Sequence, residues 1–142
     1  MKDTLIETVE KFKSYFAQLK LDNNAVLNEI YSEDVIFTDP IHQIKGLENL
    51  KSYFKKLDSN LVEGSFQFTD ESSRDNIVYL QWEMHLSLKR PKKKVKASGI
   101  SVLTIEQKII KHRDYFDAGE LFYENVPVLG NIIRFLKKKI AH

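Results

Sequence analysis

Val78-Tyr79-Leu80-Gln81-Trp82-Glu83-Met84-His85-Leu86 alternates apolar and polar side chains at each step. Successive strand side chains point to opposite faces, so this stretch reads as a half-buried β-strand. Val78, Leu80, Trp82, Met84 and Leu86 share its inner face. The same period of two recurs on both sides. Phe66 and Phe68 alternate with polar neighbours, and Val95, Ala97, Gly99, Ser101, Leu103 and Ile105 form a third set. Ile109 to about Ala118 makes a fourth strand. Ser72-Ser73-Arg74-Asp75-Asn76, Lys89-Arg90-Pro91-Lys92 and Glu106-Gln107-Lys108 are turn chemistry between them. Four strands joined by short turns predict an antiparallel meander.

Upstream of residue 60 the period is that of a helix. Leu5, Ile6, Val9, Phe12, Phe16 and Leu19 recur at steps that give one apolar face over 3–20, and Asp3 can cap that helix. Asp22-Asn23-Asn24 breaks it and starts a short second helix through Tyr31, with Val26, Leu27 and Ile30 inward. Val35-Ile36-Phe37 is a short strand stopped by Pro40. Gly46 opens a third helix, about 47–57, with Leu47, Leu50, Tyr53, Phe54 and Leu57 on one side. Pro127 starts a terminal amphipathic helix over 127–140, with Arg134 and Lys137, Lys138 and Lys139 on its basic side. Helices first and strands after define an α+β domain. The expected form is a cone-shaped, bent antiparallel sheet wrapped around the N-terminal helices, with an extra C-terminal helix.

At 142 residues the chain is one domain, long enough to bury a core without staples. It has no cysteine, so disulfides and thiolate metal sites are excluded. Its formal net charge of +2 is too small to argue for nucleic acid. The N-terminus mixes charges with apolar residues and does not read as a signal peptide. No run of about 18 apolar residues exists to span a membrane, and cytoplasm is the default location. Lys89-Arg90-Pro91-Lys92-Lys93-Lys94-Val95-Lys96 has the look of a nucleic-acid patch, but reads better as a solvated hairpin tip.

Two segments place ionisable groups in apolar, aromatic surroundings. One runs from Tyr31 through Phe37-Thr38-Asp39-Pro40-Ile41-His42 to Gly46, and the other is His112-Arg113-Asp114-Tyr115-Phe116-Asp117. A buried carboxylate is either paired or used. Asp39 is a candidate base, although aspartate before proline is also a common turn residue. Tyr15 is either a core tyrosine or a donor. His42 can be a second acid–base group or a loop residue. Arg113, Tyr115 and Asp117 share one strand face, about 7 Å between successive members, and the pattern alone does not say which face is interior. Arg113 could pair with Asp117 or with Asp39, or hold a ligand carboxylate. No histidine pair has a metal-ligand spacing.

The order of elements and the segment 12–46 resemble the nuclear transport factor 2-like superfamily, which holds ketosteroid isomerases and SnoaL-like polyketide cyclases. Tyr15 and Asp39 lie 24 residues apart, the isomerase separation. The resemblance implies that Asp39 is a general base, Tyr15 an oxyanion donor and Asp117 a cyclase-like acid–base group. It makes Arg113, Tyr115 and Asp117 interior. Ser101 stands where the isomerases carry an aspartate on the third meander strand, a carboxylic acid kept neutral so that it can donate a hydrogen bond. Trp82, Met84, Ser101, Arg113, Tyr115 and His42 would line the substrate pocket. The implied function is a small-molecule pocket protein, an isomerase, cyclase or dehydratase acting on a small hydrophobic carbonyl compound without a cofactor. The alternative is a non-catalytic ligand-binding or protein-interaction domain. The resemblance also implies a homodimer. The charge balance argues against nucleic acid as a partner, and the terminal helix reads better as a cap on the domain than as a membrane contact.

Overall fold

The computed structural model describes residues 2–19 and 24–117. The expected helix over 127–140 lies outside the described residues.

Helix α1, Lys2–Ala17, buries Thr8, Val9, Phe12, Tyr15 and Phe16. Its middle and the residues just past its end are tied to the sheet and its turns. The Thr8 hydroxyl shares its one proton between the carbonyl oxygens of Thr4 and Gln107, at 2.9 and 3.0 Å, and Leu19 N–H donates to Gly64 O at 3.1 Å. A 3-10 turn, Asn24–Val26, leads into α2, Leu27–Ile30. Tyr31 is already extended, so β1 runs Tyr31–Thr38, longer than the three-residue strand expected. A tight turn then gives β2, Gln43–Lys45, which the sequence does not signal. Gly46 follows at φ +90°, a backbone few side chains tolerate, and α3 spans Leu47–Ser59.

The meander is as expected: β3 Leu61–Arg74, β4 Ile77–Leu88, β5 Lys93–Glu106 and β6 Lys108–Phe116. The six strands form one open sheet in the order β2-β1-β6-β5-β4-β3. It is mixed rather than wholly antiparallel, because β1 runs parallel to β6. The helices cover one face, and Phe12, Phe16, Leu27, Ile30, Val35, Leu50, Phe54, Leu80 and Leu103 meet between them. Among the described residues no helix is long and apolar enough to cross a membrane.

One irregularity decides what faces this interior. Ile105 pairs with Ile109, but the preceding Thr104 pairs with Lys111. One step along β5 therefore matches two along β6, so Ile110 is an inserted bulge residue. Ile109 is buried, and beyond the bulge the even-numbered residues take over the inner face, with His112 only 3% exposed.

Gly99 marks a close approach. A Cβ there would lie 2.5 Å from Trp82 Cη2 and 2.5 Å from the Tyr115 carbonyl oxygen. The indole lies across the glycine of the neighbouring strand. Gly99→Ala should therefore destabilise the fold by about 1–3 kcal/mol through overpacking. A urea midpoint equal to that of the parent protein would show that Trp82 does not occupy this position.

Candidate functional site

Asp39 ends β1 and organises the turn to β2. Its Oδ1 accepts the N–H groups of Ile41 and His42, at 2.8 and 2.6 Å, and its side chain is 6% exposed. The turn-residue reading is thus realised. The other oxygen faces inward, where the Tyr53 hydroxyl donates to Oδ2 at 3.4 Å. His42 Nδ1 lies 3.4 Å from Oδ1, and its ring packs 5.1 Å from that of Tyr53.

Tyr53 comes from α3, and the sequence shows it only as part of an apolar helical stripe. Burial pushes its phenol above the ordinary range, and the negative charges of Asp39 and Asp114 add to the effect. A phenol under those influences stays a hydrogen-bond donor.

Asp114 is the second carboxylate of the site. Its Oδ1 accepts a hydrogen bond from Ser101 Oγ at 2.5 Å and lies 2.7 Å from His112 Nε2. Ser101 in turn accepts from Trp82 Nε1 at 2.9 Å. On the far side, His112 Nδ1 lies 2.8 Å from the Tyr31 hydroxyl. A polar chain therefore crosses the inner face of the sheet, Trp82–Ser101–Asp114–His112–Tyr31, from β4 through β5 and β6 to β1.

Its surroundings are aromatic. Phe12 and Phe37 meet the His112 ring edge-on at 5.3 and 4.9 Å, and Tyr31 stacks on it at 5.9 Å. Burial raises the Tyr31 phenol well above its ordinary range, followed by the charge of Asp114 and the influence of Tyr15. Tyr31 is therefore a neutral phenol, and its hydroxyl shares a hydrogen bond with Nδ1. The imidazole Nε2–H then donates to the Asp114 carboxylate, since an unprotonated nitrogen facing a carboxylate oxygen would be repelled.

The other expected residues divide by face. Tyr15 is buried on α1, edge-on to Phe16 at 5.0 Å. Trp82 and Ser101 are inside at 2% exposure each, and Met84 is half-buried on the inner row of β4. Arg113, Tyr115 and Asp117 are exposed, which reverses the expectation that they are interior. The bulge at Ile110 is the cause, because it shifts the parity of everything after it. Arg113 instead stacks over Tyr115 with its guanidinium 4.9 Å from the ring centre. Asp114 and His112, which the sequence reading set on the outer face, take the inner places. Ser101 and Asp114 are register partners, so the serine hydroxyl and this carboxylate meet across the two strands. Among the described residues no cluster of three or more histidine or carboxylate side chains could hold a metal ion.

The family model for the SnoaL-like domain matches residues 12–112. No curated protein matches the chain. Solved structures do. One is a hypothetical protein with a ketosteroid isomerase-like fold from Catenulispora acidiphila, in complex with trimethylamine. It is 13% identical, with a TM-score of 0.72 over 82% of this chain and 90% of its own. An LEH-like epoxide hydrolase from M. tuberculosis is 14% identical, with a TM-score of 0.71 over 98% and 96%. A protein described as a SnoaL-like polyketide cyclase from Shewanella putrefaciens is 13% identical, with a TM-score of 0.72 over 87% and 96%. At these identities the likeness is one of fold.

The two raised phenols give stability a definite pH dependence. Folded Tyr31 and Tyr53 keep their protons at a pH where the unfolded phenols, with an ordinary value of 10.0, lose them. Their contribution is complete below that value and is lost as pH rises through and above it. Urea midpoints should fall between pH 8 and pH 11, and the combined Tyr31→Phe, Tyr53→Phe variant should fall by less. An equal fall in both proteins would show that these phenols titrate normally.

Proposed function

The chain belongs to the SnoaL-like domain family, and from that premise we propose that it is a cofactor-free acid–base catalyst acting on a small hydrophobic carbonyl compound. The observation that carries this reading is the Tyr53 hydroxyl under the joint influence of two inward carboxylates, Asp39 and Asp114. A base beside a neutral donor is what proton abstraction next to a carbonyl requires.

In the proposed step, Asp39 removes a proton from the carbon next to the substrate carbonyl through Oδ2. The electron pair of the C–H bond moves into the carbon–carbon bond, and the carbonyl oxygen becomes an enolate that accepts a hydrogen bond from Tyr53. Protonated Asp39 then returns the proton to the same or a conjugated carbon, giving exchange or isomerisation. Asp114, its Oδ1 anchored by Ser101 and His112, is the second acid–base group, placed to assist loss of a hydroxyl in a dehydration. Trp82, Phe37 and Met84 supply apolar walls.

A second reading has one observation in its favour. The two backbone N–H bonds to Asp39 Oδ1 are what a structural turn residue makes, as in a non-catalytic ligand-binding domain. Asp39→Asn separates the two readings, because an asparagine carbonyl can keep both turn bonds while the basic carboxylate is gone. Under the catalytic reading, deuterium exchange next to the carbonyl of small cyclic ketones, followed by NMR, falls about 10²–10⁴-fold with the urea midpoint nearly unchanged. Asp39→Ala loses the cap as well and should be less stable by about 1 kcal/mol. Exchange that survives Asp39→Asn contradicts the assigned base.

A further inference from the structure

The outer face of the sheet carries a feature that the inner site does not use. At one end of β3, β4 and β5 lies a depression of about 400 Å³, lined by Glu63, Ser65, His85, Ser87, Lys94 and Lys96 together with Gly64, Leu86 and Val95. The pairing register explains why these polar side chains meet. Ser65 pairs with His85 and His85 with Lys96; Glu63 pairs with Ser87 and Ser87 with Lys94. Two rows of three thus stand side by side on the surface opposite the buried Val95 and Ala97.

Counted with Glu83, the depression holds two lysines and two glutamates, and the excess of positive charge comes from the adjoining hairpin. Lys96 is engaged by Glu83 at 2.9 Å. Lys94 makes no ion pair among the described residues, and neither do Lys89, Arg90, Lys92 and Lys93 of the adjoining hairpin. Residues two apart on a strand lie about 7 Å from each other, so Lys94 and Lys96 flank the depression, with two serine hydroxyls beside them. An ammonium group is a strong partner for phosphate as a point charge, and hydroxyls supply further donors. A phosphoryl group, with three acceptor oxygens, uses several such donors at once. The volume falls within the range of small-molecule sites, about 300–1,000 Å³. The unpaired cations of the hairpin would draw an anion towards it.

We propose that this depression binds a soluble phosphate monoester, with the phosphoryl group between Lys94 and Lys96 and the Ser65 and Ser87 hydroxyls, and with Glu63 accepting a hydrogen bond from a hydroxyl of the organic part. The basic hairpin is then the approach to a ligand site rather than a solvated tip alone. The site stands on the opposite side of the sheet from Asp39 and Asp114, so its existence does not depend on the inner chemistry.

The test is backbone amide NMR of the full chain titrated with inorganic phosphate, with glucose 6-phosphate and with glucose. Vesicles containing phosphatidic acid, tested separately by co-sedimentation, distinguish a lipid headgroup from a free ester. The proposal expects saturable shifts at Ser65, His85, Ser87 and Lys94 with glucose 6-phosphate, weaker binding of inorganic phosphate and none of glucose. Lys94→Glu, at an exposed position with no ion-pair partner to lose, should weaken glucose 6-phosphate at least tenfold. The combined Lys55→Ala, Lys56→Ala control, which removes the same net charge from exposed positions of α3, should leave it within twofold. Equal weakening in both proteins would mean non-specific charge attraction and overturn the site. So would binding to vesicles without binding of the soluble ester, or shifts confined to the hairpin residues 89–93.

Discussion

The interior of this protein is organised by a continuous run of buried hydrogen bonds from Trp82 through Ser101, Asp114 and His112 to Tyr31. Each member lies on a sheet strand, and β1, β4, β5 and β6 all contribute. Leaving a buried polar group unpaired costs about 1–3 kcal/mol, and more for a charged one. The chain therefore holds these strands in one register as well as satisfying its own members. Trp82 reaches Ser101 because Gly99 leaves room for the indole, and Asp114 reaches Ser101 because the two are paired across strands. The carboxylate is oriented before any ligand arrives, which is the condition for using it in chemistry.

Much of the fold is legible in the sequence because its periods are regular. The alternation through Val78, Leu80 and Trp82 and the helical spacing of Val9, Phe12 and Phe16 both survive in the burial pattern. Asp39 is also legible, standing at the end of an apolar strand before a proline. The rest of the site is hidden for a definite reason. The pattern through 112–117 leaves its two faces undecided, and a count carried forward from the buried Ile109 is reversed by a single bulge. Ile110 does this in β6, so His112 and Asp114 go inside while Arg113, Tyr115 and Asp117 go out. Tyr53 is hidden differently. On a helix it belongs to the same apolar stripe as Leu50 and Phe54, and only the turn carried by Asp39 gives its hydroxyl a partner. A one-dimensional pattern contains neither the bulge nor that meeting.

The sheet then has two unlike faces. The inner one gathers carboxylates and phenols among aromatic rings, where low polarity strengthens each interaction. The outer one is divided along its length. One end carries Tyr79, Ile100 and Tyr115, each at least 40% exposed; the other carries the lysines, serines and histidine of the β3–β5 rows. Strand pairing connects the two faces, since a shift in register that moved Asp114 would also move the residues outside it.

The measurement that bears most directly on this account is long-range proton–nitrogen NMR of the His112 ring. The hydrogen-bond chain predicts a proton on Nε2, held against Asp114 and exchanging slowly with solvent. In Asp114→Ala that slow exchange should be lost. An Nε2 without a proton, or one whose proton exchanges freely in the parent protein, would contradict the inward placement of His112 and Asp114 and the site built on them.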